Sequence, residues 1–268
     1  MMKKINEVAA QLLKSEEVSV IIGYGEGSNG NVRPLFARNK EETEKLIYDN
    51  RCTQNLATYI YRKEIVRLGK PAIIANLSTL RGIIRLAAEK QIKDGDVTAL
   101  FINESGVLIQ YDTLNDIEKY LSDITPELKS EDKELIEKLE TMNPSERWVF
   151  WTKEMENCMK CYACRQACPL CYCTQCSVEV NQPQWIPVAS NTLSNLEWHI
   201  MRAMHLSGRC IECGQCGEAC PVNIPIHLLP IKLAKDIKNI YGTVSGINRE
   251  EGNSMATYKP DDKEEFIK

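Results

Sequence analysis

Apolar positions recur at helical spacing over Ile5–Leu13, which predicts an N-terminal amphipathic helix. Val18–Gly23 is a short β-branched run and predicts a buried strand. A Gly-rich turn over Gly23–Gly30 separates it from a second strand at Val32–Ala37. Leu56–Leu68 has the pattern of an amphipathic helix, punctuated by Lys70-Pro71 before a strand at Ala72–Leu77. Ser78–Glu89 follows as a helix with Ser78 at its N-cap, then a strand over Val97–Asn103 with Val107–Gln110 as its pairing partner. Strands alternating with helical patterns predict an α/β-type layer with a small mixed sheet and some parallel pairing.

The second half reads as helices and loops, so the fold class expected for the whole chain is α+β. Ile124–Asn143 is charged and helical in character, a connector rather than a core element. Pro144-Ser145-Glu146 opens a helix that runs toward Cys158, Asn191–Ser207 is a further helix, and Ile226–Tyr241 is another. From Gly242 to Lys268 the chain is polar with little periodicity, and reads as a flexible tail. The expected organisation is an α/β domain over residues 1–125, a helical connector over 126–150, a cysteine-rich domain over 151–241 and the tail over 242–268.

Bulk composition narrows the function classes. The chain has 268 residues, 43% hydrophobic and 26% charged, with a net charge of −4. That charge supplies no basic field for nucleic acid. The apolar runs, such as Val18–Gly23 and Ala72–Leu77, fall well short of the ~20 residues of a membrane span. Glu7, Gln11 and Lys14 interrupt the N-terminal segment, which has no apolar stretch of signal-peptide type, so the cytoplasm is the expected compartment. No nucleophile–base pattern, H-E-x-x-H, P-loop or EF-hand spacing is present, and hydrolytic catalysis is unsupported.

Cysteine placement changes the picture most. Eleven of the twelve cysteines lie between Cys158 and Cys220; the other is Cys52. Clustering of this kind in a chain without secretory features points to metal rather than disulfides. Cys158, Cys161, Cys164 and Cys168-Pro169 have the spacing C-x2-C-x2-C-x3-C-P, and Cys210, Cys213, Cys216 and Cys220-Pro221 repeat it. Three closely spaced thiolates can wrap one cubane, while the fourth cysteine opens a short helix that reaches the other cluster. The expected ligand sets are Cys158, Cys161, Cys164 and Cys220 for one [4Fe–4S] cluster, and Cys210, Cys213, Cys216 and Cys168 for a second. A pair of zinc knuckles is the competing reading, although zinc sites commonly use C-x2-C pairs with a longer gap.

Cys171, Cys173, Cys176 and Cys52 remain after those sets are filled. They make a third cluster expected, with Cys52 tying the first half of the chain to the second; the alternative is a buried, unliganded Cys52, with the other three binding zinc through another ligand or packing. His199 and His205 lie on the helix between the blocks, as packing residues or as ligands. Trp148, Trp151, Tyr162, Tyr172, Trp185 and Trp198 read as shielding and core.

Gly25, Gly27 and Gly30 match G-x-G-x-x-G after a strand, the pattern of a dinucleotide-binding turn. That turn needs a helix directly behind it, and Asn31–Phe36 with Pro34 reads as extended, so a strand-to-strand turn is expected instead.

Two resemblances follow. Residues 155–225, through the two blocks above, resemble two-cluster bacterial-type ferredoxin domains. The whole chain resembles the beta-subunit family of coenzyme F420-reducing hydrogenases and dehydrogenases, through VIIGYGEG, NRCTQNLATYI, PAIIANLSTLRGI and CYACRQACPLCYCTQC. The family implies an anaerobic flavin and iron–sulfur oxidoreductase that passes electrons between a hydrogenase or formate dehydrogenase and a low-potential carrier. Here the ferredoxin blocks are C-terminal and Ala75–Leu80 holds no cysteine. The expectation is therefore an electron-transfer subunit of a redox complex of hydrogenase, formate dehydrogenase or heterodisulfide-reductase type, with other subunits as partners and ferredoxin as an external carrier. The alternatives are an FAD-containing reductase of a diffusible deazaflavin or nicotinamide, and a zinc-stabilised interaction module.

Overall fold

The computed structural model describes residues 2–103, 105–180 and 182–250. Helix α1 (Met2–Lys14) buries Ile5, Ala9 and Leu12 on one face, as its period requires. A mixed sheet follows: β1 (Val20–Glu26), β2 (Val32–Ala37), β3 (Leu46–Ile47), β4 (Pro71–Ala75), β5 (Thr98–Ile102) and β6 (Leu108–Tyr111). Interleaved with the strands are the single turns α2 (Lys40–Thr43) and α3 (Lys63–Val66) and the helix α4 (Leu77–Ala88); α5 (Leu114–Leu121) comes after β6. The strand order is β2-β1-β4-β5-β6, with β3 also paired to β1. Strands β1, β4 and β5 run parallel, and β2 and β6 close the edges antiparallel. Every residue of β4 and β5 is buried, the continuous apolar run expected of central parallel strands covered on both faces.

The second half holds α6 (Ser130–Thr141), α7 (Pro144–Glu156), α8 (Ala163–Gln166), α9 (Thr192–His205), α10 (Gln215–Glu218) and α11 (Leu228–Tyr241). The class is α+β. Asn143 and Glu146 form a reciprocal capping box at the start of α7, with Pro144 in its first turn. The core of the sheet layer extends into the second half through Leu170, Leu206 and Ile211. A second core gathers Met155, Leu196, Trp198, Ile224 and Ile226, and a third joins α6 to α11 through Ile136, Leu139, Leu228 and Ile231. The cysteine-bearing loops thus sit against the sheet layer rather than apart from it. No helix among the described residues is long and apolar enough to cross a membrane.

Several elements depart from expectation. Leu56–Leu68 is not one helix but a 3₁₀ turn (Leu56–Tyr59) and α3. The Asn55 side chain accepts from Ala57 N–H and donates to the Ser78 carbonyl, while Thr58 donates to the Gln166 carbonyl. Arg62 is extended between the two turns, and its side chain takes the Thr58 carbonyl at 3.1 Å, a group that a continuous helix would use. The N-cap of α4 is Asn76, not Ser78: Asn76 Oδ1 accepts from Thr79 N–H at 2.9 Å and from the Ser78 hydroxyl at 2.8 Å. Helix α5 has no counterpart among the predicted elements, although Leu114, Ile117 and Leu121 bury one face of it.

Residues 242–250, the first part of the segment expected as a flexible tail, make specific contacts. Arg249 is bonded to Glu118 at 2.9 Å, and Arg81 Nη2 donates to the Ser245 carbonyl at 2.9 Å. Gly246 lies buried against Arg81 and Ile211. These anchors hold residues 242–250 on the sheet layer; 251–268 lie outside the described residues.

Candidate metal centre

The duplicated cysteine spacing folds into duplicated backbone. Lys160 and Tyr162 of the first block have φ of 52° and 59°, and Glu212 and Gly214 of the second have φ of 59° and 70°. Left-handed conformations at non-glycine residues cost about 1–3 kcal/mol each. Their recurrence at matching positions marks a shared loop geometry that the rest of the fold enforces. Each loop leads into a single helical turn, α8 or α10. The two turns pack on each other, and Cys164 and Cys216, one on each, are equally buried.

This pairing brings the cysteines together across the repeat. One cavity is lined by Cys158, Cys161, Cys164 and Cys220. A second is lined by Cys168, Cys210, Cys213 and Cys216. Each therefore takes three thiols from one block and the fourth from the other. Backbone N–H groups point at the sulfurs: Glu212 N–H lies 3.3 Å from Cys210 Sγ and Ile224 N–H 3.4 Å from Cys220 Sγ. Gly217 is needed for close approach, since a Cβ there would stand 2.0 Å from His227 Nδ1.

A third cavity is lined by Cys171, Cys173 and Cys176 with Arg165, Arg202, His205 and Arg209. Cys52, the expected fourth ligand, is not among the residues that line it. Its Sγ accepts from Asp49 N–H at 3.4 Å, and the residue is buried in the core of the sheet layer near Tyr24 and Tyr48. Gly25, Gly27 and Gly30 belong to the β1–β2 hairpin: Gly25 is inside β1, and Gly27 N–H bonds to the Asn31 carbonyl. No helix begins behind that turn, so it lacks the N-terminus a pyrophosphate needs.

Tetrahedral zinc with Zn–S of about 2.3 Å requires sulfurs about 3.8 Å apart. Among the described residues, no three His, Cys, Asp or Glu side chains are grouped to hold a single ion. Four thiols spaced around a void, with inward N–H groups, fit a cubane cluster. Burial pushes the Cys164 thiol up to about 12 and the Cys213 thiol to about 11, and it raises Cys210 as well. Ligation would exchange these protons for metal, so loading releases acid.

Helix α9 supplies the polar groups behind the thiols. Asn195, fully buried, donates through Nδ2 to the carbonyls of Met155 (3.0 Å) and Cys158 (2.8 Å). His199 Nε2 lies 3.4 Å from Cys158 Sγ, and burial pushes its pKa down to about 3, so the ring is neutral. Arg202 donates to the Cys164 carbonyl at 3.1 Å. On the sheet side, Arg81 donates to the Ile211 carbonyl at 2.7 Å and lies 3.7 Å from Glu212. Arg209 is bonded to Glu89 of the α4 C-terminus at 2.7 Å and to the Leu170 carbonyl at 3.2 Å. Sequence reasoning missed Asn195, Arg202 and Arg81. The signal for two of them was in the periodicity: Asn195, Trp198, His199, Arg202 and Ala203 share one buried face of α9.

Fold and site together define an α+β chain whose second half carries two four-cysteine cavities and a three-cysteine one. No family model matches it. Over 101 residues it is 36% identical to the F420-dependent formate dehydrogenase subunit beta of Methanocaldococcus jannaschii, an alignment covering 37% of this chain and 25% of that protein. It is 27% identical over 100 residues to the F420-dependent formate dehydrogenase 1 subunit beta of Methanococcus maripaludis, with the same coverage of 37% and 25%. The match spans about a quarter of the length of these curated relatives.

Proposed function

We propose that this chain is an iron–sulfur electron-transfer subunit of an oxidoreductase complex, with a [4Fe–4S] cluster in each four-cysteine cavity. The single observation that carries the reading is the exchange of Cys168 and Cys220 between the repeats. It completes two separate quartets from two incomplete triads. Similarity to proteins named as formate dehydrogenase beta subunits supports a place in a redox complex.

When bound, such clusters accept and release single electrons at potentials from about −700 to +450 mV, set by charge, hydrogen bonds to sulfur and exposure. The residues of the chain do the rest. Cys158, Cys161, Cys164 and Cys220 would hold one cluster and Cys168, Cys210, Cys213 and Cys216 the other. The N–H groups of Glu212 and Ile224 and the His199 ring stabilise negative charge on sulfur. Trp198 and Ile226 supply apolar walls to the first site. The division of labour we propose is docking by residues 1–125 and conduction by 151–241. Partner subunits, cytoplasmic location and ferredoxin as an external carrier belong to the same proposal.

Electron paramagnetic resonance of the anaerobically purified, dithionite-reduced chain tests it. The expected spectrum holds two interacting signals of reduced four-iron clusters. Cys158→Ala should alter one set and Cys210→Ala the other. A silent, colourless chain would count against the proposal. A flavin band that stays with the chain through gel filtration would favour a reductase in its own right.

A further inference from the structure

Arg202 stands where the cysteine sites converge. Only 4% of it is exposed. Its Nη2 donates to the carbonyl of Cys164, which lines the first cavity. Its guanidinium also faces the thiol of Cys216, which lines the second, and that of Cys171. Arg202 itself lines the third cavity. Its Nε has no hydrogen-bond partner, and the titratable groups that face it are the thiols of Cys171, Cys216, Cys168 and Cys164, with no carboxylate bonded to it among the described residues. A buried arginine ordinarily has an acid partner, because an uncompensated buried charge is strongly destabilising. Arg81 and Arg209 follow that rule, with Glu212 and Glu89 beside them. Arg202 is the exception, and what surrounds it is sulfur.

A cation that faces only thiols makes electrostatic sense when those thiols become thiolates. Guanidinium remains charged at any ordinary pH and delocalises that charge over a planar fork with several donors, so it can serve several anionic neighbours together. We propose that Arg202 is a positioning residue whose fixed positive charge raises the reduction potentials of both four-cysteine centres together. The inference rests on the function proposed above. Each reduction adds one electron, supplied by dithionite in the test, and no proton need move. The added negative charge is stabilised by the cation, so the reduced form gains relative to the oxidised one. Loss of the cation therefore lowers both midpoints.

The test is a potentiometric titration of the holoprotein, followed by paramagnetic resonance, with iron quantified for each variant. Arg202→Gln removes the charge and keeps a donor; Arg202→Met fills the space with an apolar chain; Arg202→Lys keeps a charge. With iron unchanged, Gln or Met should lower both midpoints by at least a tenfold change in the one-electron equilibrium, ~59 mV, and Lys should stay near wild type. Loss of iron from Gln and Met but not from Lys also supports a role of charge. Unshifted midpoints, a shift at one centre alone, or Lys behaving like Gln overturns the inference, as does loss of iron from all three. Wild-type chain that binds no iron sinks the proposed function, and this inference with it. Iron-loaded wild type with unshifted variants overturns the inference alone.

Discussion

Glu89 shows how single residues tie the two halves of the chain together. It ends α4 and receives Arg209, next to the second cysteine block, at 2.7 Å, and Arg85 at 2.8 Å. Burial works to raise its carboxyl pKa, but the two guanidinium groups more than offset this and hold it below its ordinary value. Such a group contributes stability that is present above the unfolded pKa, about 4.3, and is lost as pH falls through the lower folded value. Glu89→Gln is expected to cost about 2 kcal/mol near neutral pH. It should also flatten the dependence of the urea midpoint on pH below about 4.3. Asn195→Ala should cost about 1 kcal/mol by removing two hydrogen bonds, because the Cys158 carbonyl keeps the Ser190 hydroxyl and the Met155 carbonyl keeps Cys158 N–H. It should also release iron from the Cys158 site first, which metal analysis of the variant would read. At this scale the chain was unevenly legible. The grouping of the cysteines around two cavities follows from spacing, because sequence separation sets how thiols wrap a loop; their role as cluster ligands belongs to the proposal. The place of Cys52 does not, because counting leftover ligands carries no information about distance. Arg202 was legible in principle, as a charge on the buried face of a helix.

At the scale of elements, local chemistry and tertiary context divide the outcome. Strand β2 lies where the segment after the Gly-rich turn places it, and α7 begins at Pro144-Ser145-Glu146 as expected, with Asn143 as its cap. Asn143→Ala is expected to cost ~1 kcal/mol, as loss of an N-cap does, measured by urea unfolding. The Leu56–Leu68 segment breaks at Arg62, which is extended, while Asn55 and Thr58 fix the first turn to Ser78 and Gln166, residues remote in sequence. No local pattern encodes those partners. Helix α10 is a stricter case. Gly217 packs directly on the ring of His227, whose Nε2 is bonded to Asp132 of α6 at 2.7 Å. Gly217→Ala should push α10 from His227 and lower stability by about 1–3 kcal/mol through overpacking. A urea midpoint equal to that of the wild type would show that this contact does not constrain the loop.

Across the whole molecule, a mixed sheet supplies a rigid wall and the cysteine loops lie on it through Leu170, Leu206 and Ile211. The α+β class was legible from the alternation of strands and helices. The attachment of residues 242–250 to that wall was not, because it depends on Arg249 reaching Glu118 and on Arg81 reaching Ser245. The placement of Cys52 in the sheet layer carries its own expectation: Cys52→Ser should leave the iron content unchanged, and Cys220→Ala should lower it. Quantifying iron, labile sulfide and zinc in the anaerobically purified chain tests the central claim most directly. Two clusters predict about eight iron and about eight sulfide per chain, and a third in the Cys171–Cys176 cavity would bring each to about twelve. Zinc in place of iron, with no labile sulfide, would contradict the account.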